Sequence, residues 1–95
     1  MDMREAYQRK IEAQLEEWKA EINRMKAKAD KANADVQVEY YKQIEDLQSK
    51  QKAAQEKLKG LKEAGEGAWE DLKSGVELAW ESLGEAVKSA NSRFR

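Results

Sequence analysis

Residues 29–35 read Ala-Asp-Lys-Ala-Asn-Ala-Asp, and they decide how this 95-residue chain folds. Asn33 suits the end of one helix and Asp35 the start of another. Yet no Gly lies in the stretch, and the chain holds no Pro to force a helix to stop. An apolar stripe also crosses it in phase, through Met25, Ala29, Ala32, Val36 and Tyr40. The spacing therefore predicts one unbroken helix through this point. A break near Asn33 is the alternative.

The same stripe extends both ways. Upstream it holds Tyr7, Ile11, Leu15, Trp18 and Ile22; downstream it holds Ile44 and Leu47, then, after the polar Gln51, Ala54, Leu58 and Leu61. Steps of three and four mark one face of a helix, and Ala, Glu, Lys, Gln and Leu, all good helix formers, fill the rest. The expected helix covers about residues 3–64 and spans about 90 Å at ~1.5 Å per residue. Asp2 and Glu5 resemble a capping box at its start. Heptad steps and eleven-residue steps are mixed along it, which predicts little supercoiling. Broken near Asn33, the chain would instead give segments 1–32, 35–63 and 67–93, of similar length and suited to a three-helix bundle.

Gly65 and Gly67 are the stronger punctuation, with Gly60 nearby. Gly65 suits the left-handed residue that follows a helix. Lys57, Lys59 and Lys62 favour a helix C-terminus there, and Glu70 and Asp71 a new N-terminus. The expectation is a glycine turn at 65–67 and a second helix over about 68–92. The fold class is thus all-α, a single helical domain over 1–95: a long helix with a shorter antiparallel one, a helical hairpin.

The second helix repeats itself. Trp69, Leu72 and Val76 return eleven residues later as Trp80, Leu83 and Val87. On a wheel of about 100° per residue they form one narrow apolar band, which Phe94 extends. Ala68, Gly75, Ala79, Ala86 and Ala90 edge the band, and only Leu78 interrupts the polar face. Folding back at the glycines lays 70–81 beside 50–61. Glu70, Asp71, Glu77 and Glu81 then face Lys50, Lys52, Lys57, Lys59 and Lys62, and the Trp residues sit over small alanines. A lipid surface is the competing cover, since amphipathic repeats with Trp suit interfaces. Against it, residues 66–95 carry Glu66, Glu70, Asp71, Glu77, Glu81 and Glu85 but only Lys73, Lys88, Arg93 and Arg95, so an anionic bilayer repels most of that face. Gly75 and Gly84 also weaken an isolated helix by about 1 kcal/mol each. Packing against protein is preferred.

A hairpin leaves Ile11, Leu15, Trp18, Ile22 and Met25 without a partner in the chain. Each side chain stabilises by roughly 1.5–3 kcal/mol when buried, so this stripe is read as a self-association surface. The favoured assembly is an antiparallel homodimer crossing at Ala27, Ala29, Ala32 and Ala34. Together with Trp69, Leu72, Val76, Trp80, Leu83 and Val87, these five form the candidate packing set.

Composition narrows the function classes. Charged residues reach 39 %, but 18 basic against 19 acidic leaves a net charge of −1 and no broad positive field for nucleic acid. There is no Cys and no His, which removes thiolate chemistry and the commonest general base and metal ligand. Paired carboxylates such as Glu16–Glu17 are ordinary on a solvated helix. The "GEG" turn lacks the strand and the Lys-Ser/Thr of a phosphate loop. No catalytic, cofactor-binding or metal-binding residues are expected, and no small-molecule substrate. The opening residues lack an apolar signal core and no run of about 18 apolar residues exists, so a cytoplasmic location is expected.

Three stretches, AYQRKIEAQLEEWKAEI (6–22), KAKADKANAD (26–35) and GAWEDLKSGVELAW (67–80), give the chain a further likeness. It resembles a family of short bacterial coiled-coil proteins often labelled as stress-response proteins, over nearly its whole length. That resemblance implies an all-helical, soluble bacterial protein without an established reaction, and it supplies no catalytic residues. The expected function is a non-enzymatic, self-associating, stress-associated coiled coil acting as a structural or interaction module. Coating of a lipid or polymer-granule surface by the Trp repeat is the alternative.

Overall fold

The computed structural model describes residues 3–93. Three helices account for nearly all of them: α1 (Met3–Asp30), α2 (Ala34–Glu63) and α3 (Glu66–Arg93). No strand occurs among the described residues. Each helix touches both others, most extensively α2 with α3 and least α1 with α3. The molecule measures 51 × 21 × 18 Å. Asp2 and Phe94 lie outside the described residues.

The structure corrects the unbroken helix over 3–64: it stops at Asp30 and restarts at Ala34. Lys31 and Ala32 donate their amides to the carbonyls of Lys28 and Ala29, at 3.2 and 3.1 Å, tightening the last turn of α1. Asn33 then turns extended, with φ −64° and ψ 149°. Its side chain makes no cap hydrogen bond. The connection is held from one turn further on. The Gln37 side-chain Nε2 donates to the carbonyls of Ala29 and Asp30, at 3.1 and 3.4 Å. The Tyr41 hydroxyl donates to the Asp30 carboxylate, which raises the tyrosine's pKa above its ordinary value. Side chains on α2 thus satisfy the end of α1, and a Gly is not needed.

The second connection also departs from expectation. It is shorter, Ala64–Gly65, and α3 starts at Glu66 with Gly67 inside its first turn. Ala64 is extended, with φ −74° and ψ 143°, and its amide donates to the Leu61 carbonyl at 3.2 Å. No described residue, Gly65 included, has positive φ. An extended Ala64 redirects the chain without a left-handed residue.

The core is one continuous cluster fed by all three helices. Ile11, Leu15, Ile22, Met25 and Ala29 come from α1, Ile44, Leu47, Ala54, Leu58 and Leu61 from α2, and Trp69, Val76, Leu83, Val87 and Ala90 from α3. Their steps of three, four and seven place them along one seam per helix, as knobs-into-holes packing requires. No polar or charged residue is buried among the described residues. The α1 stripe, which the hairpin left bare, is covered here by α2 and α3.

Candidate functional site

Of the candidate packing set, Ile11, Leu15, Ile22, Met25, Trp69, Val76, Leu83 and Val87 are buried. Trp18 and Trp80 are half-buried against the same core. Leu72 is the exception, at 41 % exposure. It lies about 60° from Trp69 on the helix wheel, on the side away from α1. Ala90, at the same angle, is short enough to be covered, whereas a leucine projects past the α2 flank. Val36, which the stripe also included, is 44 % exposed.

The aromatic residues gather between α1 and α3. Tyr7 and Trp69 meet edge to face, with ring centroids 5.7 Å apart. Trp18 and Trp80 meet at 5.6 Å with their planes tilted by 45°. Such bulk keeps the two backbones apart, which explains why this pair of helices shares the least close contact. Trp18 finds room by lying over Gly84: a Cβ there would come within 3.0 Å of its Cζ2 and 3.1 Å of its Cη2. The sequence presents Gly84 only as a weak point in α3; its use as a seat for Trp18 depends on a partner 66 positions away.

Polar groups close the same seam from outside. The Tyr7 hydroxyl donates to Glu77 Oε1 at 3.4 Å. Burial, reinforced by the Glu77 charge and this hydrogen bond, pushes the Tyr7 pKa up to about 12. Lys73 Nζ stands 4.9 Å from the Tyr7 ring centre and 5.4 Å from that of Trp69, a cation–π arrangement. Arg4 pairs with Glu66 at 3.4 Å, and Asn91 donates to Glu21 at 3.4 Å. An open groove of about 360 Å³ passes over Tyr7 and Trp69. Lys73 fills its aromatic corner, so that corner is satisfied within the chain. The indole N–H groups of Trp69 and Trp80 are buried without an acceptor among the described residues.

The charge register expected between α2 and α3 is not formed. Among the described residues no ion pair joins Lys50, Lys52, Lys57, Lys59 or Lys62 to Glu70, Asp71, Glu77 or Glu81. Lys50 pairs instead with Asp46, one turn away in α2, and Lys62 with Glu12 of α1. Glu77 faces α1 through Tyr7. Exposed pairs are worth well under about 1 kcal/mol, so apolar packing decides the register.

At the opposite end, Val36, Val38 and Tyr41 stand exposed in the first two turns of α2, at 44, 61 and 38 %. They follow the connection at 31–33, Val36 on one side of the helix and Val38 and Tyr41 on the other. Among the described residues no three His, Cys, Asp or Glu side chains gather to hold a metal ion, and no helix is long and apolar enough to cross a membrane. The chain matches no family model, no curated protein and no solved structure.

Proposed function

We propose that this chain is a non-enzymatic structural or interaction module that recognises other helices, first of all those of a second copy of itself. The observation that carries this reading is how the aromatic and long aliphatic residues are used. On every helix they form a seam at helix-packing intervals, and of those left exposed, Met3, Val36, Val38, Tyr41, Leu72 and Leu78, three lie in the first two turns of α2. In this reading the three-helix arrangement is the resting form and an antiparallel dimer the associated one. The resemblance to bacterial coiled-coil proteins adds a stress-associated setting to this proposal. Light scattering on a sizing column tests the proposal: a species of twice 10.9 kDa should grow with protein concentration. A mass that stays at one chain at every concentration contradicts it.

A second reading has one observation in its favour. The buried indole N–H groups of Trp69 and Trp80 have no protein acceptor, and a lipid interface would offer them one. Coating a lipid or granule surface then requires α3 to leave the core. Neutral vesicles should be the better target, because the polar face of α3 is acidic. Co-flotation with a blue-shifted Trp emission supports this reading, and unchanged emission without flotation removes it.

A further inference from the structure

We infer that the connection at residues 31–33 is a swap hinge, and that two copies associate by straightening α1 and α2 into one helix, so that α1 of each copy docks on α2 and α3 of the other. This rests on the self-association proposed above and supplies its geometry.

The backbone of the turn is close to helical already. Lys31 and Ala32 continue the hydrogen bonding of α1. The φ of Asn33, −64°, is a helical value; its ψ of 149° is not. A rotation of about 170° about that one bond takes ψ to the helical value near −42°. No residue of the turn is Gly or Pro, and none has positive φ. Nothing in the turn requires a conformation that a helix forbids. Straightening breaks the Gln37 bonds to the carbonyls of Ala29 and Asp30, but the amides of Asn33 and Ala34 then take those same carbonyls as helix partners.

The side chains make the same point. Met25, Ala29, Ala32, Val36, Tyr40 and Ile44 keep steps of three and four across the break, so a straight helix carries one unbroken apolar face. A folded connection has no need of that phase match. In the swapped form Ile11, Leu15, Ile22 and Met25 meet the α2–α3 surface they meet now, on the partner. The Glu12–Lys62 and Arg4–Glu66 pairs recur between chains. The interior is therefore conserved, which is what makes exchange of an identical element cheap. The two-fold axis passes near the straightened hinges, bringing Ala32 and Val36 of both copies, which share the apolar face, toward each other at the crossing.

The chain has no cysteine, so the double variant E12C/K62C can be joined cleanly by a short bismaleimide. The dimer fraction should give covalent dimers on a denaturing gel, and the monomer fraction links within one chain. Asn33→Pro should lower the dimer fraction at least about tenfold at equal concentration. Proline accepts the φ of the folded turn but breaks a continuous helix, and the Asn33 amide donates no bond that it would remove. If Asn33→Pro loses helicity, K31G/N33G takes its place, the two glycines together disfavouring the straight helix about fivefold. Links within one chain in the dimer fraction, or hinge variants that dimerise like the parent, overturn the swap and leave self-association standing. A monomer at every concentration overturns both.

Discussion

Helix α3 has two flanks, and they are built on different plans. Toward α1 it presents Lys73, Glu77, Gly84 and Asn91, which receive two aromatic rings and the polar groups that close over them. Toward α2 it presents Gly75, Ala86 and Ala90, with Lys57, Leu47 and Lys50 across from them. One flank holds a neighbour at a distance with large side chains; the other lets the backbones approach. Two glycines on one helix therefore do opposite things. Gly84 makes room for a ring, and Gly75 borders only the flexible end of Lys57, 3.9 Å from where its Cβ would be.

Deleting a ring should separate the flanks most sharply. Trp18→Ala removes the contact with Trp80 and uncovers Gly84, and should cost about 3 kcal/mol in urea denaturation. Leu72→Ala on the other flank should cost under about 1 kcal/mol, because Leu72 is 41 % exposed. Equal losses would erase the distinction. The glycines give a smaller effect of opposite sign. Gly84→Ala should lower stability by about 1 kcal/mol, overpacking against Trp18 outweighing the gain in helix propensity. Gly75→Ala should raise it by up to about 1 kcal/mol. The smallest effect concerns Tyr7. Its folded pKa of about 12 lies above the ordinary tyrosine value of 10.0, so the folded state holds the proton more tightly. Stability from this group is complete below pH 10 and is lost as pH rises toward 12. Tyr7→Phe should flatten that part of the curve relative to the parent; an unchanged slope would detach Tyr7 from the α1–α3 seam.

The helical class, the seam on each helix and a turn near residue 65 are legible in the sequence, because each rests on local spacing; the extended Ala64 that makes the turn is not. Ile11 to Met25 were recognisable as a face needing cover. Which surface covers it was not, since that depends on whether residues 31–33 turn. The turn is stabilised by Gln37 and Tyr41 reaching back to α1, and neither residue type advertises a helix end at that distance. The charge register misled for a related reason: lysines and acids on facing helices look complementary, but exposed partners one turn away in the same helix are as good. The Tyr7–Trp69 and Trp18–Trp80 pairs join residues 62 positions apart, beyond any local pattern.

A copy that is alone hides its α1 face against its own α2 and α3. Small-angle X-ray scattering on the monomer fraction measures this directly. A radius of gyration close to 15.4 Å, with the longest distances near 51 Å plus side chains, is the expected result. A particle of single-chain mass whose longest distances reach about 90 Å, the length of a continuous helix at ~1.5 Å per residue, would contradict it.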